Sequence, residues 1–367
     1  MENGFNALIV GNNTRHALIF KEFCDNVYIL VNEKRTVFNR LNSDLDKLNV
    51  IYERKFNSLT KPFKRISELR AIAKKHKINV VFTNRKDDLF YATMAFLLKR
   101  NRPIILCTFH NSLAWGDKAK TKILSLLIKR CCDGCVCLAK GMYNILEKNI
   151  GSSKLIYLPN TIYADAVAQK PNYELVHAPQ ISIVYIATIY PNKNQLFAIR
   201  AIKELSKSFD AKMDFIGEIL DENYFAALKE EIERLGLQTN IKFVGSVDND
   251  ALKSKVLNTY DIYFSPSLKE MSPLNILEAK ACGLPVVASH AFGQQDLIKD
   301  GVDGYLYEDG DVQSAVAKLT ALIRDIELRK KIGEGAKRYS ETINTPQNAS
   351  LKLEEYIKHH VQKNRNH

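Results

Sequence analysis

The sequence predicts an α/β protein built from two doubly wound domains. Short apolar runs alternate with helical patterns along the whole chain, which is typical of parallel sheets with helices on both faces. The length of 367 residues is about twice that of a usual domain. The stretch from Asn160 to Pro179 is polar, contains two prolines and lacks strong periodicity, so we expect the linker between the domains there.

Each predicted strand is a run of apolar residues. In the first half of the chain these runs are Ala7–Val10, Val27–Val31, Val80–Thr83, Ile104–Phe109, Gly134–Leu138 and Leu155–Leu158. In the second half they are Ile181–Ala187, Met213–Gly217, Ile241–Gly245, Ile262–Ser265 and Pro285–Ser289. Parallel sheets of this kind bind ligands beyond the carboxyl ends of their strands, so functional side chains are expected directly after these runs.

The most informative segment begins at Glu270 and reads EMSPLNILEAKACGLPVVAS. Ser272 is predicted to be the N-cap of a helix, with Pro273 in the first turn, where its missing N–H has no cost. Gly283 is predicted to end this helix as its C′ residue. Glu270 then lies just before the helix and Glu278 lies inside it, so two carboxylates flank the free N–H groups of the helix N-terminus.

This arrangement of charges and donors predicts a ligand that carries both hydroxyls and phosphates. Free N–H groups and the helix dipole attract phosphate. The two carboxylates would repel that phosphate unless each accepts a hydrogen bond from a hydroxyl. A nucleotide-sugar has this layout, and a helix with one surface acid at each end is the alternative interpretation.

The segment from Glu270 to Ser289 resembles the E-x7-E signature of retaining GT-B glycosyltransferases, family 4 in particular. The resemblance implies a GT-B fold, in which two Rossmann-like doubly wound domains face each other across a cleft. Residues 1–170 would form the acceptor-side domain and residues 171–345 the nucleotide-sugar donor domain, with a helix in residues 346–367 returning to the first domain. The nucleotide-sugar would be a substrate, and the resemblance implies no cofactor.

By the same resemblance, Glu270 is catalytic and faces the hydroxyls of the donor sugar, while Glu278 binds the ribose hydroxyls. The diphosphate would rest on the backbone of four consecutive residues, Met271, Ser272, Pro273 and Leu274. Gly217 ends one strand-like run and Val247 follows another, and both positions fit close approach of the backbone to the nucleotide. Ordinary turn residues would also be found at both positions.

Lys193 and His110 are the other catalytic residues that the resemblance implies. Lys193 lies between the run ending at Ala187 and a helical pattern, and its ammonium would pair with the departing diphosphate. Thr188 stands where the family usually has a second phosphate-binding cation, an Arg. Its absence would cost several kcal/mol of leaving-group stabilisation unless another basic residue, from the first domain, replaces it. His110 follows the run Ile104–Phe109 and resembles a first-domain histidine that orients a hydroxyl of the donor sugar.

Four residues of the first half are candidates for the acceptor side. Gly11 and Asn12 follow the first strand, where the family usually has a glycine-rich loop. Asn84 and Arg85 follow the run Val80–Thr83 and could contact the acceptor. Exposed loop residues without a ligand are the alternative for all four.

The cysteines and the Asp-x-Asp triplets do not predict a metal site. The Cys131–Cys137 cluster offers a single C-x2-C pair and no further ligand at the required spacing. Cys135 and Cys137 instead fit a short buried strand, where free cysteine behaves as a small apolar residue. The triplets lie in polar stretches typical of solvated loops, at Asp44/Asp46, Asp248/Asp250 and Asp309/Asp311. We therefore expect no obligatory metal and no disulfide framework.

The net charge of +12 is carried by the first half of the chain. Residues 1–170 contain 29 Lys and Arg against 14 Asp and Glu. The densest basic segments are Arg54–Lys77 and Lys118–Arg130, and the second interleaves its cations with Ile and Leu like an amphipathic surface helix. We expect an anionic membrane surface as partner, while a core-facing helix with a solvated basic side explains either segment alone equally well.

The expected function is that of a retaining, metal-independent glycosyltransferase. It would move a hexose-type sugar from a nucleoside diphosphate to a glycan or lipid-linked acceptor, in bacterial lipopolysaccharide or capsule synthesis. Two alternatives stay open, a nucleotide-sugar 2-epimerase of similar architecture and a non-catalytic nucleotide-sugar-binding partner. A nucleic-acid partner is not expected, because no recognition motif accompanies the charge. Without an N-terminal signal or a run long enough to span a bilayer, we expect the protein in the cytoplasm, peripheral to the inner membrane.

Overall fold

A computed structural model describes residues 4–11, 14–31, 49–52, 61–97, 101–110, 118–162, 173–174, 179–247 and 250–365. The chain forms two compact units, Met1–Pro159 with Pro346–His367, and Asn160–Thr345. The first boundary lies at Asn160 and not after residue 170, because Asn160 is already bonded to the second unit. Its backbone N–H donates to Ser272 Oγ (3.0 Å) and its side-chain amide donates to the Ser272 carbonyl (2.7 Å).

The first unit contains a seven-stranded parallel sheet. Its strands are β1 (Asn6–Val10), β2 (Asn26–Val31), β3 (Asn49–Tyr52), β4 (Val80–Thr83), β5 (Ile104–Thr108), β6 (Gly134–Cys137) and β7 (Leu155–Tyr157). They lie in the order β3-β2-β1-β4-β5-β6-β7, so the winding direction reverses between β1 and β4. This doubly wound order confirms the predicted Rossmann-like fold. The sequence did not predict β3, because its short apolar run does not stand out from the polar residues before it.

Within the described part of the first unit, five helices lie between these strands. They are α1 (Thr14–Lys21), α2 (Lys61–Lys75), α3 (Lys86–Phe96), α4 (Lys118–Cys131) and α5 (Lys140–Ile150). Helix α4 is amphipathic, which both a membrane-surface helix and a core-facing helix with a solvated basic side would require. Leu124 and Ile128 are buried in the core, whereas Ile123 and Leu126 are exposed beside the basic residues of the same helix.

The second unit contains a six-stranded parallel sheet. Its strands are β8 (Ile181–Ile186), β9 (Ala211–Ile216), β10 (Ile241–Gly245), β11 (Ile262–Ser265), β12 (Val286–Ser289) and β13 (Tyr305–Tyr307). The order is β10-β9-β8-β11-β12-β13, with the reversal between β8 and β11. Strands β8, β11 and β12 are wholly buried, which is why their sequences read as continuous apolar runs. β13 was not predicted, since it has three residues and is only partly buried.

The first described helical element of the second unit is a 3₁₀ turn, Pro191–Lys193. The α-helices are α6 (Gln195–Leu205), α7 (Glu222–Leu235), α8 (Asp250–Leu257), α9 (Leu274–Ala281), α10 (Val312–Arg324) and α11 (Ile326–Arg338), and a π-helical turn spans Tyr339–Ile343. Helix α12 (Pro346–Arg365) belongs to the first unit, where the hydroxyl of Tyr356 donates to the Asp133 carbonyl at 2.9 Å. In the part of the chain that the structure describes, no helix has both the length and the apolar character needed to cross a membrane.

Helix α9 differs from its prediction at one end only. Its N-cap is Pro273 and not Ser272, because the Ser272 hydroxyl accepts from the backbone of Asn160 instead of from the helix. The C-terminal end is as predicted, since Gly283 has a φ of +70° and donates to the Lys280 carbonyl at 2.8 Å. The next residue, Leu284, donates to the Ala279 carbonyl at 3.0 Å, which completes a Schellman motif.

Candidate active site

In the second unit, four of the predicted site residues follow β8 and β11, the two strands between which the winding reverses. Ligands of doubly wound sheets bind at this reversal, beyond the carboxyl ends of the strands. Thr188 and Lys193 lie in the connection between β8 and α6. Glu270 lies in the connection between β11 and α9, and Glu278 is on α9 itself. The fold therefore brings to one edge of one sheet residues that are far apart in sequence.

Glu270 is held by two donors that approach the same oxygen. Lys193 Nζ forms an ion pair with Glu270 Oε1, and Ser267 Oγ donates to Oε1 at 2.8 Å. The backbone N–H of Glu270 donates to the carbonyl of Phe292 at 2.9 Å. The carboxylate is thus fixed by its own loop and by Lys193, and the backbone of Glu270 is fixed by Phe292. The sequence assigned Lys193 to a phosphate, whereas here its ammonium lies on Glu270.

A buried polar network supports the loop that carries Glu270. The Tyr185 hydroxyl lies 2.6 Å from Ser267 Oγ. On the other side of the loop, the Ser267 carbonyl accepts from Ser289 Oγ (2.7 Å) and from Gln294 Nε2 (2.8 Å). Burial raises the pKa of the Tyr185 hydroxyl well above its ordinary value, and the negative charge of Glu270 adds to this effect, so the phenol stays protonated.

Glu278 is a buried carboxylate in the middle of α9. The start of this helix is joined to β8 by Asn275, whose side-chain amide donates to the Ile186 carbonyl at 2.5 Å. Met271 and Ser272 are buried, whereas Pro273 and Leu274 are half-buried. Because Ser272 is bonded to Asn160, the segment before α9 has a fixed conformation and its backbone can serve as a preformed anion site.

The far side of α9 is anchored by a buried lysine. Lys280 Nζ lies 3.0 Å from Asp303 Oδ1, donates to the Leu297 carbonyl at 2.6 Å and lies 3.5 Å from the centre of the Tyr339 ring. Burial lowers the pKa of Lys280 from 10.5 to about 8, against the opposing effect of Asp303. This cluster joins the helix that carries Glu278 to two neighbouring segments.

The other predicted donor-site residues are backbone positions around β8, β9 and β10. The Thr188 carbonyl accepts from Gln195 Nε2 at 2.9 Å, which fixes the turn before α6. Gly217 is required by packing, since a Cβ atom there would lie 2.0 Å from the Ala187 carbonyl oxygen. Val247, beyond the end of β10, packs partly against the core of the second unit. The need for glycine at 217 thus has a structural cause that the sequence could not distinguish from ligand approach.

In the first unit, Gly11 and Asn84 meet at the reversal between β1 and β4. Gly11 has a φ of +98°, and a Cβ atom there would lie 2.7 Å from Asn84 Oδ1. This Oδ1 atom is buried and accepts no hydrogen bond from any residue that the structure describes. Arg85 is exposed and is the N-cap residue of α3, without a side-chain capping bond. Asn12 lies outside the described residues.

A buried ion pair that the sequence did not predict lies beside Asn84. Arg65 Nη2 donates to Asp88 Oδ1 at 2.9 Å, and both side chains are buried. Burial raises the pKa of Asp88, and the charge of Arg65 opposes that rise. Asp88 is in the first turn of α3, so the pair places a polar group next to Gly11, where the sequence expects the acceptor.

His110 follows β5, as its sequence position predicts, and packs on a second histidine. The rings of His110 and His16 are 5.9 Å apart and nearly perpendicular, and His16 stacks on Phe82 at 4.9 Å. Burial lowers the pKa of His16 to about 3, with a further contribution from His110. Desolvation also lowers the pKa of His110. Both imidazoles are therefore neutral near pH 7, which lets His110 exchange hydrogen bonds with a hydroxyl.

No metal centre is found among the residues that the structure describes. None of their His, Cys, Asp and Glu side chains form a group of three or more that could hold an ion. Cys135 and Cys137 are buried free thiols on β6, as predicted. Asp311 caps α10 by accepting from Gln313 and Ser314. Of the other triplets, Asp44, Asp46 and Asp248 lie outside the described residues.

Sequence reasoning missed the residues that hold the predicted ones in place. These are Tyr185, Ser267, Gln294, His16, Arg65 and Asp88. A partial signal existed at two of them, because Tyr185 lies inside the apolar run Ile181–Ala187 and Ser267 lies two residues after the run Ile262–Ser265. Buried polar groups need partners, so such residues indicate a hydrogen-bonded network even when the partners cannot be named.

Two known protein families account for most of the chain. Residues 25–166 match the family described as Glycosyltransferase Family 4, and residues 170–339 match the family described as Glycosyl transferases group 1. The chain belongs to the GT-B glycosyltransferases. The group 1 match contains Glu270, Glu278 and Lys193, so the candidate donor site lies inside the part of the glycosyltransferase that the family defines.

Individual relatives agree with this assignment. The UDP-Gal:alpha-D-GlcNAc-diphosphoundecaprenol alpha-1,3-galactosyltransferase of Escherichia coli is 25% identical over 292 residues, which cover 73% of this chain and 72% of the relative. The sulfoquinovosyl transferase SQD2 of Arabidopsis thaliana is 35% identical over 140 residues, 37% of this chain. That match spans only 26% of the Arabidopsis protein.

Solved structures confirm the GT-B fold. The crystal structure of Anabaena Alr3699/HepE in complex with UDP has a TM-score of 0.82 to this chain. The two share 18% sequence identity, and the likeness covers 96% of this chain and 100% of the other. At this level of identity the likeness concerns the fold alone.

Proposed function

We propose that this glycosyltransferase transfers a hexose from UDP to a lipid-linked or glycan acceptor with retention of the anomeric configuration. The observation that carries the proposal is the placement of Glu270, Glu278 and Lys193 at one edge of the second sheet, where the winding reverses. This edge offers carboxylates for hydroxyls together with a cation and the N-terminus of α9 for phosphates. Such a set of groups fits a sugar nucleotide, which carries both hydroxyls and phosphates.

UDP is the first nucleotide to test, because proteins similar to this one bind it. The E. coli relative is named for a UDP-Gal donor, and the Anabaena protein was solved with UDP and with UDP-glucose. Glu278 would accept from the ribose hydroxyls, and Glu270 would accept from the hexose. The diphosphate would lie on the backbone from Met271 to Leu274, and Lys193 would turn from Glu270 towards it.

A thermal-shift screen with UDP-, GDP-, ADP- and CMP-sugars in the presence of EDTA tests the donor. A ligand that binds the native state raises the melting temperature. The expected result is a rise with UDP-hexoses alone. The absence of a shift with all four nucleotide classes would overturn the proposed donor site, and a rise only in the presence of Mg²⁺ would overturn metal independence.

Two variants assign the carboxylates within the site. Glu278→Ala should weaken the binding of UDP and UDP-glucose alike, because both carry the ribose. Glu270→Ala should leave UDP binding unchanged and impair sugar-dependent binding and turnover. Wild-type transfer by both variants would contradict the assignment.

Retention without an enzymic nucleophile is the mechanism that we propose for transfer. The departing diphosphate would accept the proton of the acceptor hydroxyl on the face that it leaves. Lys193 and the N–H groups at the start of α9 would stabilise the negative charge on the leaving group, a role that Mg²⁺ has in other transferases. Neutral His110 would orient a hydroxyl of the hexose.

The first unit has a surface that suits an anionic membrane at the cytoplasmic side. Helices α2, α3 and α4 are neighbours, since Arg70 donates to the Ala95 carbonyl and Thr93 donates to the Cys131 carbonyl. They expose large apolar side chains, namely Phe63 (79% exposed), Phe90, Met94, Leu97, Ile123 (63%) and Leu126. Exposed cations lie on the same helices, among them Lys64, Arg70, Lys74, Lys75, Lys122, Lys129 and Arg130.

We propose that these apolar side chains insert into the bilayer and that the cations attract its anionic headgroups, which together would make a peripheral membrane contact. A sedimentation assay with vesicles of phosphatidylglycerol and phosphatidylethanolamine tests it. Ile123→Asp should weaken binding, whereas Ile343→Asp should not, because Ile343 is equally exposed (63%) but belongs to the second unit. Equal binding by wild type and Ile123→Asp would contradict the membrane proposal.

The non-catalytic alternative is favoured by one residue, Thr188, which stands where the resembling family usually has an Arg. A protein of this kind would bind the donor yet neither transfer nor hydrolyse it. The epimerase alternative instead expects conversion of the donor sugar without any acceptor. Measuring UDP release and the identity of the recovered sugar, with and without membrane lipids as acceptor source, separates the three.

A further inference from the structure

Glu270 differs from a simple surface carboxylate because its two oxygens have unequal environments. Oε1 receives both Lys193 Nζ and Ser267 Oγ. Among the described residues, none donates a hydrogen bond to Oε2. The side chain therefore has one occupied oxygen and one that is open to a ligand.

The hydrogen bonds behind Oε1 can run in one direction only. An ionised carboxylate is an acceptor, so Ser267 must donate its single hydroxyl proton to Glu270. The Tyr185 hydroxyl, 2.6 Å from Ser267 Oγ, must then donate to Ser267. Tyr185 and Ser267 are both almost completely buried, so water cannot replace either donor.

The backbone of Ser267 is fixed independently of its side chain. Its carbonyl accepts from Ser289 Oγ and from Gln294 Nε2, and Gln294 itself is held by Ser265 Oγ at 2.5 Å. The backbone of Ser267 therefore stays in place when its hydroxyl rotates. The path of hydrogen bonds from Tyr185 through Ser267 to Glu270 is fixed by residues on or next to strands β8, β11 and β12. A rigid support of this kind holds a ligand-binding carboxylate in one rotamer.

We infer that Tyr185, acting through Ser267, is a positioning residue that fixes the carboxylate of Glu270 so that Oε2 alone faces the hydroxyls of the donor sugar. This inference rests on the proposed function, because it concerns the sugar half of the nucleotide-sugar. It predicts no effect on the binding of the nucleotide half, which the proposed function assigns to Glu278 and the start of α9. The two halves of the donor therefore report separately on the inference and on the function.

Calorimetric titration of UDP and of UDP-glucose into each variant makes this separation. Tyr185→Phe removes the first donor while keeping the buried ring. It should weaken UDP-glucose by about threefold to tenfold, the loss expected for one net hydrogen bond, and leave UDP unchanged. Ser267→Ala should weaken UDP-glucose at least as much. The double variant should be no weaker than Ser267→Ala, because both changes break the same chain of hydrogen bonds.

Tyr263→Phe is the matched control. Tyr263 is as buried as Tyr185, and their rings pack edge to face at 6.2 Å. Its hydroxyl donates to the Ile186 carbonyl at 3.2 Å and not to Ser267. Tyr263→Phe should therefore leave the ratio of the UDP and UDP-glucose affinities unchanged.

The outcomes distinguish the inference from the function on which it rests. If wild type binds UDP-glucose and Tyr185→Phe leaves the ratio of the two affinities at the wild-type value, the inference is wrong while the function stands. Equal weakening of UDP and UDP-glucose would mean a general structural role, which also overturns it. If wild type binds neither ligand, the proposed function fails and the inference falls with it.

Discussion

Gly293 gives the sharpest test of the loop that carries Glu270. Gly293 has a φ of +83°, and a Cβ atom there would lie 2.1 Å from the Glu270 carbonyl oxygen and 2.8 Å from that of Met271. Gly310 has nearly the same φ, +80°, but a Cβ atom there meets nothing within 4 Å. Alanine in the left-handed region costs about 1–2 kcal/mol at either position. Only at Gly293 must the backbone also move, which adds about 1–3 kcal/mol of the kind that overpacking causes.

Gly293→Ala should therefore be less stable than Gly310→Ala by about 1–3 kcal/mol. For a unit of this size, each kcal/mol lowers the melting temperature by about 2–4 °C. Scanning calorimetry of the two variants beside wild type measures the difference. Because the displaced atoms belong to Glu270 and Met271, Gly293→Ala should also weaken UDP-glucose, whereas Gly310→Ala should not. Equal melting temperatures for the two variants would refute the packing argument.

Two further predictions concern buried charges, each measured by urea unfolding. Lys280→Met should destabilise the protein by about 3–5 kcal/mol because it leaves Asp303 buried without its cation, and Lys280→Met with Asp303→Asn should recover most of that loss. The pKa of Lys280 is lowered from 10.5 to about 8. Between pH 8 and pH 10.5 the unfolded chain therefore binds more protons than the folded chain, so stability rises with pH. Over this range the unfolding free energy of the wild type should rise by about 3 kcal/mol relative to that of the double variant. A flat difference would contradict the burial of a charged amine. Arg65→Ala should lower the unfolding free energy by about 3–5 kcal/mol, because it leaves Asp88 buried without its cation. Lys207→Ala breaks an exposed pair and should change the unfolding free energy little. Similar losses for the two variants would contradict the burial of the Arg65–Asp88 pair.

The alternation of strands and helices was predictable because parallel strands are buried on both faces. Runs such as Ile181–Ala187 then consist of apolar residues almost without interruption, and a single sequence displays them directly. The end of α9 was also predictable, since the αL position at Gly283 is a local property of the chain. Strands β3 and β13 were missed because they are short and partly exposed, so they have no such signal.

Contacts between distant residues could not be predicted from local patterns. Ser272 reads as an N-cap, yet its hydroxyl is taken by Asn160, 112 positions away in sequence. Lys193 was assigned to a phosphate, and its contact with Glu270 joins residues 77 positions apart. The E-x7-E spacing predicted both carboxylates as site residues, but it could not show that Lys193 and Ser267 donate to Glu270. The sequence thus located the candidate site without its supporting network.

A crystal structure of the protein with UDP-glucose, grown in the presence of EDTA, tests the central claim most directly. We expect the ribose hydroxyls within hydrogen-bond distance of Glu278, the diphosphate on the backbone at the start of α9, and a hexose hydroxyl on Glu270 Oε2. Lys193 should have moved from Glu270 to the diphosphate. A nucleotide bound elsewhere, or with its ribose and hexose reversed between the two carboxylates, would contradict the account.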